Sequence, residues 1–290
     1  MIEQLFQIVF PLFAIVTLGF LYGRHHKPDM AIANRINLDL FTPALIFHVL
    51  SDRSFELEAF STLALVGALI ILGSGLISWP VARAFGYQPR TLVPPMMFSN
   101  SGNMGLPLAL FTFGEAALPA AVILFIVENT LHFSVGVRML NPTAPLQAIL
   151  RIPMVMATIA GLSVSMLDLT IPIAVARSVE MLGQIAIPLM LFSLGVRLIG
   201  INFSDWRIGL TGALLAPASG LLLFLLIAPW VTLPEQQYHQ ALLFAVLPPA
   251  VLNFMVAEQY QQEPQRVAAI VLMGNVASLL VIPIALLFIL

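Results

Sequence analysis

Two apolar stretches long enough to cross a bilayer are each broken in the middle by residues that do not belong in lipid. Between Leu92 and Phe113 the break is Ser99-Asn100-Ser101-Gly102-Asn103-Met104-Gly105-Leu106-Pro107. Between Ala241 and Ala257 it is Pro248-Pro249-Ala250-Val251-Leu252-Asn253. Glycine, proline and polar side chains at bilayer depth leave backbone N–H and C=O groups without helical partners. Hydrocarbon cannot satisfy those groups, so such breaks persist only where they are buried in protein or line a wet cavity. One break in each half of a chain, at corresponding positions, is the sequence pattern of a transporter with its binding site near the midplane.

The rest of the chain agrees that lipid is its main solvent. Of its 290 residues 60% are hydrophobic and 9% are charged, whereas a soluble domain carries about 25% charged residues. So few charges cannot coat a water-facing surface. Net charge is −2 with no basic cluster, which gives no footprint for nucleic acid. The absence of cysteine excludes disulfides and thiolate metal sites. The run from Leu5 to Gly23 has no basic residue before it and no small-residue cleavage site after it, so it is expected to be a retained first span rather than a signal peptide.

A span needs about 20 mostly apolar residues, and ten candidates emerge: 5–23, 36–51, 59–83, 92–113, 119–139, 149–167, 180–199, 208–232, 238–259 and 266–290. With the N-terminus outside, the inner connections hold Arg24, Lys27, Arg35, Arg83, Arg90, Arg138, Arg151, Arg197, Arg207 and Arg266. The outer ones hold only Arg53 and Arg177. Lys and Arg bias sets orientation, so both termini are expected on the outer, periplasmic side of the inner cell membrane. Trp79, Trp206 and Trp230 fall near span ends, where aromatic belts form.

The halves also repeat. Pro11 and Gly19 match Pro153 and Gly161 at an offset of 142, Pro43 and Phe47 match Pro188 and Phe192 at 145, and Asn129 matches Asn275 at 146. Five spans per unit is odd, so the second unit enters the membrane from the opposite side. The expected fold is therefore an all-α polytopic membrane protein with ten transmembrane helices in two inverted five-helix repeats, residues 1–140 and 147–290.

The break in the fourth span, the Leu40-Phe41-Thr42-Pro43-Ala44-Leu45-Ile46-Phe47 run, and Pro248-Pro249 followed by Phe254-Met255-Val256-Ala257-Glu258-Gln259-Tyr260 resemble the auxin efflux carrier family. The resemblance covers nearly the whole chain. It implies the bile-acid/auxin transporter fold, with helices 1, 2, 6 and 7 as a scaffold and helices 3–5 and 8–10 as a transport domain. Broken helices 4 and 9 would cross there, beside the substrate. It further implies organic-anion transport by elevator-like movement and a homodimer formed through the scaffold. The long cytoplasmic loop of many plant carriers is missing, since Arg138 to Arg151 is all that separates the halves. Bacterial relatives are associated with malate- or malonate-like acids, so the resemblance implies a small carboxylate rather than auxin.

Within the breaks, Asn100 and Asn103 can donate hydrogen bonds, Gly102 and Gly105 permit close backbone approach, and Pro107 follows. The second half-helix is expected to start near Gly105 to Leu108, where its free amides and positive dipole end would face a carboxylate. Pro248 and Pro249 lack N–H groups, and Asn253 stands on the emerging half-helix. Neighbouring helices can heal a single kink of this kind; two in register, each with Asn, point to a substrate site. Asn129 and Asn275 are expected to line the same cavity.

Glu128 and His132 lie four residues apart, on one face of the fifth span. A carboxylate at the bilayer centre costs about 2.5–3.5 kcal/mol on insertion scales. Glu128 is therefore either a coupling group for H+ or Na+, tuned by His132, or a neutral helix-holding group bonded to His132 or Asn275. Asp39 reads as a solvated helix-end residue, His48 as interfacial, and His25 and His26 as part of a basic loop rather than a metal site. No enzymatic motif, cofactor motif or metal set is evident. The remaining alternatives are a sodium-coupled bile-acid-type symporter of the same fold and a channel built on broken helices.

Overall fold

A computed structural model describes residues 2–52, 57–197, 199 and 205–290. Arg53, one of the two basic residues assigned to the outer side, lies outside the described residues. Fourteen helices follow one another among the described residues: α1 (Ile2–His26), α2 (Ala31–Ile36), α3 (Thr42–Leu50), α4 (Ser61–Ala84), α5 (Pro89–Met97), α6 (Leu106–Phe113), α7 (Leu118–Leu131), α8 (Val137–Leu140), α9 (Pro153–Met166), α10 (Ile173–Arg197), α11 (Trp206–Ile227), α12 (Glu235–Ala245), α13 (Val251–Gln259) and α14 (Pro264–Leu287). The only β-type pairing in this part of the chain is an isolated antiparallel bridge between Ser99 and Pro249.

Among the described residues, six helical stretches are long and apolar enough to cross a membrane: Phe6–His26, Leu57–Ala84, Glu115–Leu140, Ile173–Arg197, Trp206–Trp230 and Pro264–Leu287. This is a multi-pass membrane protein. The other expected spans are shorter or pieced together. Pro153–Met166 is a shorter apolar helix. α2 and α3 join through a π-turn at Asn37–Phe41. α5 with α6, and α12 with α13, flank the two breaks.

Two helices begin earlier than their apolar content suggests. The second expected span starts at Ala31 rather than residue 36, and the seventh starts at Ile173 rather than residue 180. Those first turns carry Asn34, Arg35, Arg177 and Glu180, polar residues that hydropathy discounts although helical geometry tolerates them. In α1, Glu3 in the first turn and Arg24, His25 and His26 in the last complement the helix dipole.

The helices segregate into two packing groups. α1 lies along α10, and α3 packs against both α9 and α10. α4 packs against α5, α7 and α11, while α14 packs against α11 and α13. Large apolar side chains such as Leu76 and Leu280 are 78% and 72% exposed, which is a stable arrangement only if hydrocarbon covers them. Polar groups concentrate inside, where Asn100, Glu128, His132, Asn253 and Asn275 are all buried.

The contact of α1 with α10 depends on glycine. A Cβ on Gly195 would lie 1.9 Å from the Val16 carbonyl oxygen, and one on Gly19 would lie 2.1 Å from that of Phe192. Neither backbone can yield without moving a whole helix. Small residues at such positions let transmembrane helices approach closely enough for van der Waals attraction to hold them together. Gly195→Ala is expected to cost about 1–3 kcal/mol through overpacking, seen as a lower thermal midpoint in detergent. Gly73→Ala, whose Cβ would meet only the Leu223 side chain, serves as the mild control. Equal midpoints for the two variants would contradict the close approach.

Candidate functional site

The first break begins where α5 runs out of backbone donors. Pro94 and Pro95 sit inside its last turns, and their missing N–H groups weaken the ladder there. Phe98 makes the last helical bond, to Pro94, and its own backbone is extended at φ −105° and ψ 103°. In the second break α12 ends at Ala245, and Ala250 is extended at φ −66° and ψ 143° before α13 starts at Val251.

These extended segments face one another. Asn100 N–H donates to the Pro248 carbonyl at 2.7 Å, and Ala250 N–H donates to the Phe98 carbonyl at 3.0 Å. Side-chain amides satisfy more of the freed backbone. Asn253 Nδ2 donates to the carbonyls of Phe98 at 2.8 Å and Ala250 at 3.0 Å. Asn275 Nδ2 donates to those of Pro249 at 3.0 Å and Val271 at 2.7 Å. Asn100 Nδ2 donates to Asn275 Oδ1 at 3.0 Å, tying both breaks to α14.

Beyond Asn100 the chain turns directly into helix. The Asn100 carbonyl accepts the N–H groups of both Met104 and Gly105 at 3.0 Å, forming a π-turn at Ser101–Gly105 that continues into α6. The half-helix therefore starts at Ser101, not near Gly105 to Leu108, because glycine and small polar residues can be helical once their carbonyl acceptor is fixed. The first-turn amides of Ser101, Gly102 and Asn103 have no intrahelical partners, and the positive end of the dipole lies there. Gly102 allows this turn to sit against α7, since a Cβ would meet the Phe125 ring at 2.9 Å.

A cavity of about 110 Å³ lies at this turn and is lined by Asn100, Gly102, Asn103, Glu128 and Asn129, among others. It adjoins a larger cavity of about 760 Å³, on which Asn275 opens. Of the other residues singled out from sequence, Gly105 faces a small void behind the turn, together with Ser101 and Gln240. Asn253 and His132 border another small void. Pro107 is buried in the first turn of α6, and Pro248 and Pro249 act through their backbone carbonyls.

The buried Glu128 carboxylate accepts a hydrogen bond from the Ser101 hydroxyl. Its partner is thus neither His132 nor Asn275. His132 instead stacks on Phe98 with ring centroids 4.2 Å apart and planes 6° from parallel, and its Nδ1 has no partner. Asn129 Nδ2 donates to the Phe125 carbonyl at 2.8 Å. Asp39 is exposed and pairs with Arg35 at 3.5 Å. No group of three metal-ligating side chains is found among the described residues.

Sequence reasoning passed over Ser101, Asn34, Asn37 and Arg197, all of which line the smaller cavity. Arg197 was read only as an orientation charge, and Asn34 as part of a connection. The asparagines among them carried a usable signal, because they recur on one short helical stretch next to a span.

A family model described as a membrane transport protein matches residues 4–149 and 144–286. The chain belongs to this family, the auxin efflux carriers. It is 28% identical over 301 residues to a Rhizobium meliloti (strain 1021) protein named "Putative malonate transporter", covering 93% of this chain and 91% of that one. It is 24% identical over 299 residues to an "Uncharacterized transporter" of Methanothermobacter thermautotrophicus, covering 96% of each. The breaks of this auxin efflux carrier homologue thus lie within a chain matched along nearly its full length.

The hydrogen bonds separate two kinds of asparagine. Asn253 holds two carbonyls of the breaks, whereas the half-buried Asn103 makes no bond within the protein and faces the cavity. Asn253→Ala is expected to lower the thermal midpoint substantially, since each orphaned buried acceptor costs about 1–3 kcal/mol. Asn103→Ala should leave it nearly unchanged. Equal losses in the two variants, measured by fluorimetric unfolding in detergent, would contradict this division.

Proposed function

We propose that this protein is a secondary transporter of small carboxylates, working by elevator-type alternating access with its substrate at the meeting point of the two breaks. The observation that carries the reading is the pairing of Phe98 to Asn100 with Pro248 to Ala250 beside a polar cavity. The pairing sets the helix start that carries the first-turn amides of Gly102 and Asn103 at the edge of that cavity. Backbone amides at a helix start bind anions without needing a cation, and Asn103 and Asn129 add orienting groups. The name of the Rhizobium meliloti relative favours the same substrate class.

Matched contacts support an inverted repeat of ten spans divided near residues 140–147. Gly19 of α1 rests on the Phe192 carbonyl of α10, and Gly161 of α9 rests on that of Phe47 in α3. These are the pairs related by sequence offsets of 142 and 145. Asn129 and Asn275 each donate to the carbonyl four residues earlier. In this reading α1 to α3, α9 and α10 form the scaffold, and α4 to α8 with α11 to α14 form the moving part. Both termini lie outside the inner membrane. The larger cavity, bordered by Met30, Ala31, Arg35 and Gln265, then opens to the inner side, so the conformation is inward-facing.

Coupling to protons would run through Glu128. Its hydroxyl partner Ser101 heads the half-helix that holds the anion, so gain or loss of a proton there changes how that turn is held. Arg197 is the charged group that shares the cavity wall with it, and Ser99, Ser101, Asn34, Asn37, Asn100, Asn103 and Asn129 are the polar ones.

Two measurements test the reading. Asn103→Ala and Asn129→Ala should each weaken malonate binding by at least about tenfold, the loss of one or two good hydrogen bonds to a charged ligand, as read by isothermal titration on folded protein. Unchanged affinity in both would remove the crossing as the site. In proteoliposomes, malonate flux in the wild type should respond to an imposed pH gradient and in Glu128→Gln should not. A sodium gradient that drives flux while a pH gradient does nothing would favour the sodium-coupled alternative.

A further inference from the structure

The helix α10 ends at Arg197, and this residue stands in the wall that the two cavities share. Asn34, Leu38, Arg197, Val251 and Met255 border both the 110 Å³ pocket and the 760 Å³ cavity. Arg197 is half-buried and, among the described residues, pairs with no carboxylate. The acidic groups that border the same cavities are already engaged: Asp39 with Arg35 at 3.5 Å, and Glu128 with Ser101. A position at a helix C-terminus favours a cation, but that accounts for the charge and not for its place on a cavity wall.

Asn34 is set for the same task. Its Oδ1 accepts the Ser193 hydroxyl at 2.5 Å, which leaves its Nδ2 as the group with donors to spare. The guanidinium offers five N–H donors and no acceptor. Together they bring donors to the cavity that Gly102 and Asn103 also border. The two sets stand on different elements that meet: α2 packs against α10, which lies along α1 and α3, while the turn that holds Asn103 packs against both α7 and α10.

We infer that Arg197 and Asn34 form a subsite for a second carboxylate, so that the transported anion is a short dicarboxylate held between the two helix groups. This rests on the crossing being the binding site for a malonate-like anion and adds the residues that hold its second carboxylate. One carboxylate lies on the half-helix amides and the other on Arg197. A monocarboxylate leaves the guanidinium without its anion when the groups close, and an unpaired buried charge disfavours that closure. Arg197 thus sets specificity and links occupancy of the moving part to the scaffold.

The test compares malonate with malonamate, in which a neutral amide replaces one carboxylate, by isothermal titration on the purified full chain. Wild type should bind malonate at least about tenfold more tightly, the scale expected when one partner of a buried charge pair is removed. Arg197→Gln should weaken malonate by a similar factor and leave malonamate within about threefold, since only the charge pair is lost. Equal wild-type affinity for the two overturns the inference, and needs no variant to fold. So does an Arg197→Gln protein that keeps the wild-type preference. Asn103→Ala separates the two readings. If it abolishes both ligands while wild type treats them alike, the crossing stands and the Arg197 subsite falls. If it affects neither ligand, the crossing itself falls.

Discussion

The backbone pairing between the two breaks is the interaction on which the rest depends. Within hydrocarbon an unpartnered N–H or C=O costs several kcal/mol, and each break frees several at once. Taken separately, neither segment is tolerable at that depth. Laid antiparallel, they exchange Asn100 N–H for the Pro248 carbonyl and Ala250 N–H for that of Phe98. Asn253 and Asn275 then serve as substitute backbone, donating to Phe98, Ala250, Pro249 and Val271. Prolines suit this arrangement because Pro248 and Pro249 bring carbonyls to the pairing with no N–H to satisfy.

On the proposed reading the pairing also creates the capacity to bind. Satisfying the inner groups leaves over the first-turn amides of Gly102 and Asn103, in a turn that borders a cavity instead of lipid. Stability and function are therefore divided among similar residues. Asn253, Asn275 and Asn100 are spent on the fold, while Asn103 has bonds to offer. The Ser101 to Glu128 bond joins this turn to the buried carboxylate of the fifth span, and on the proposed reading it is the route by which a proton affects anion binding.

Much of this was legible in the sequence. The two broken stretches, the helical class and the family resemblance all followed from where Gly, Pro and Asn interrupt apolar runs. The register of the half-helix did not. Glycine is a poor helix former, so Ser101–Gly105 reads as coil until Asn100 is fixed by Pro248. Glu128 finding Ser101 rather than His132 was likewise hidden, since helical spacing places neighbours on one face but says nothing of a second span. Arg197 was illegible for a related reason. A charge at a span end serves orientation in any membrane protein, and only the fold brings this one to a cavity wall.

A crystal structure with 2-bromomalonate bound tests the account most directly, because the bromine locates the anion by its anomalous signal. The account predicts one dominant peak in the cavity bordered by Asn103, Asn129 and Arg197, with a carboxylate on the amides of Ser101 to Asn103. A peak confined to the basic ends of the helices, with that cavity empty of ligand, would contradict it.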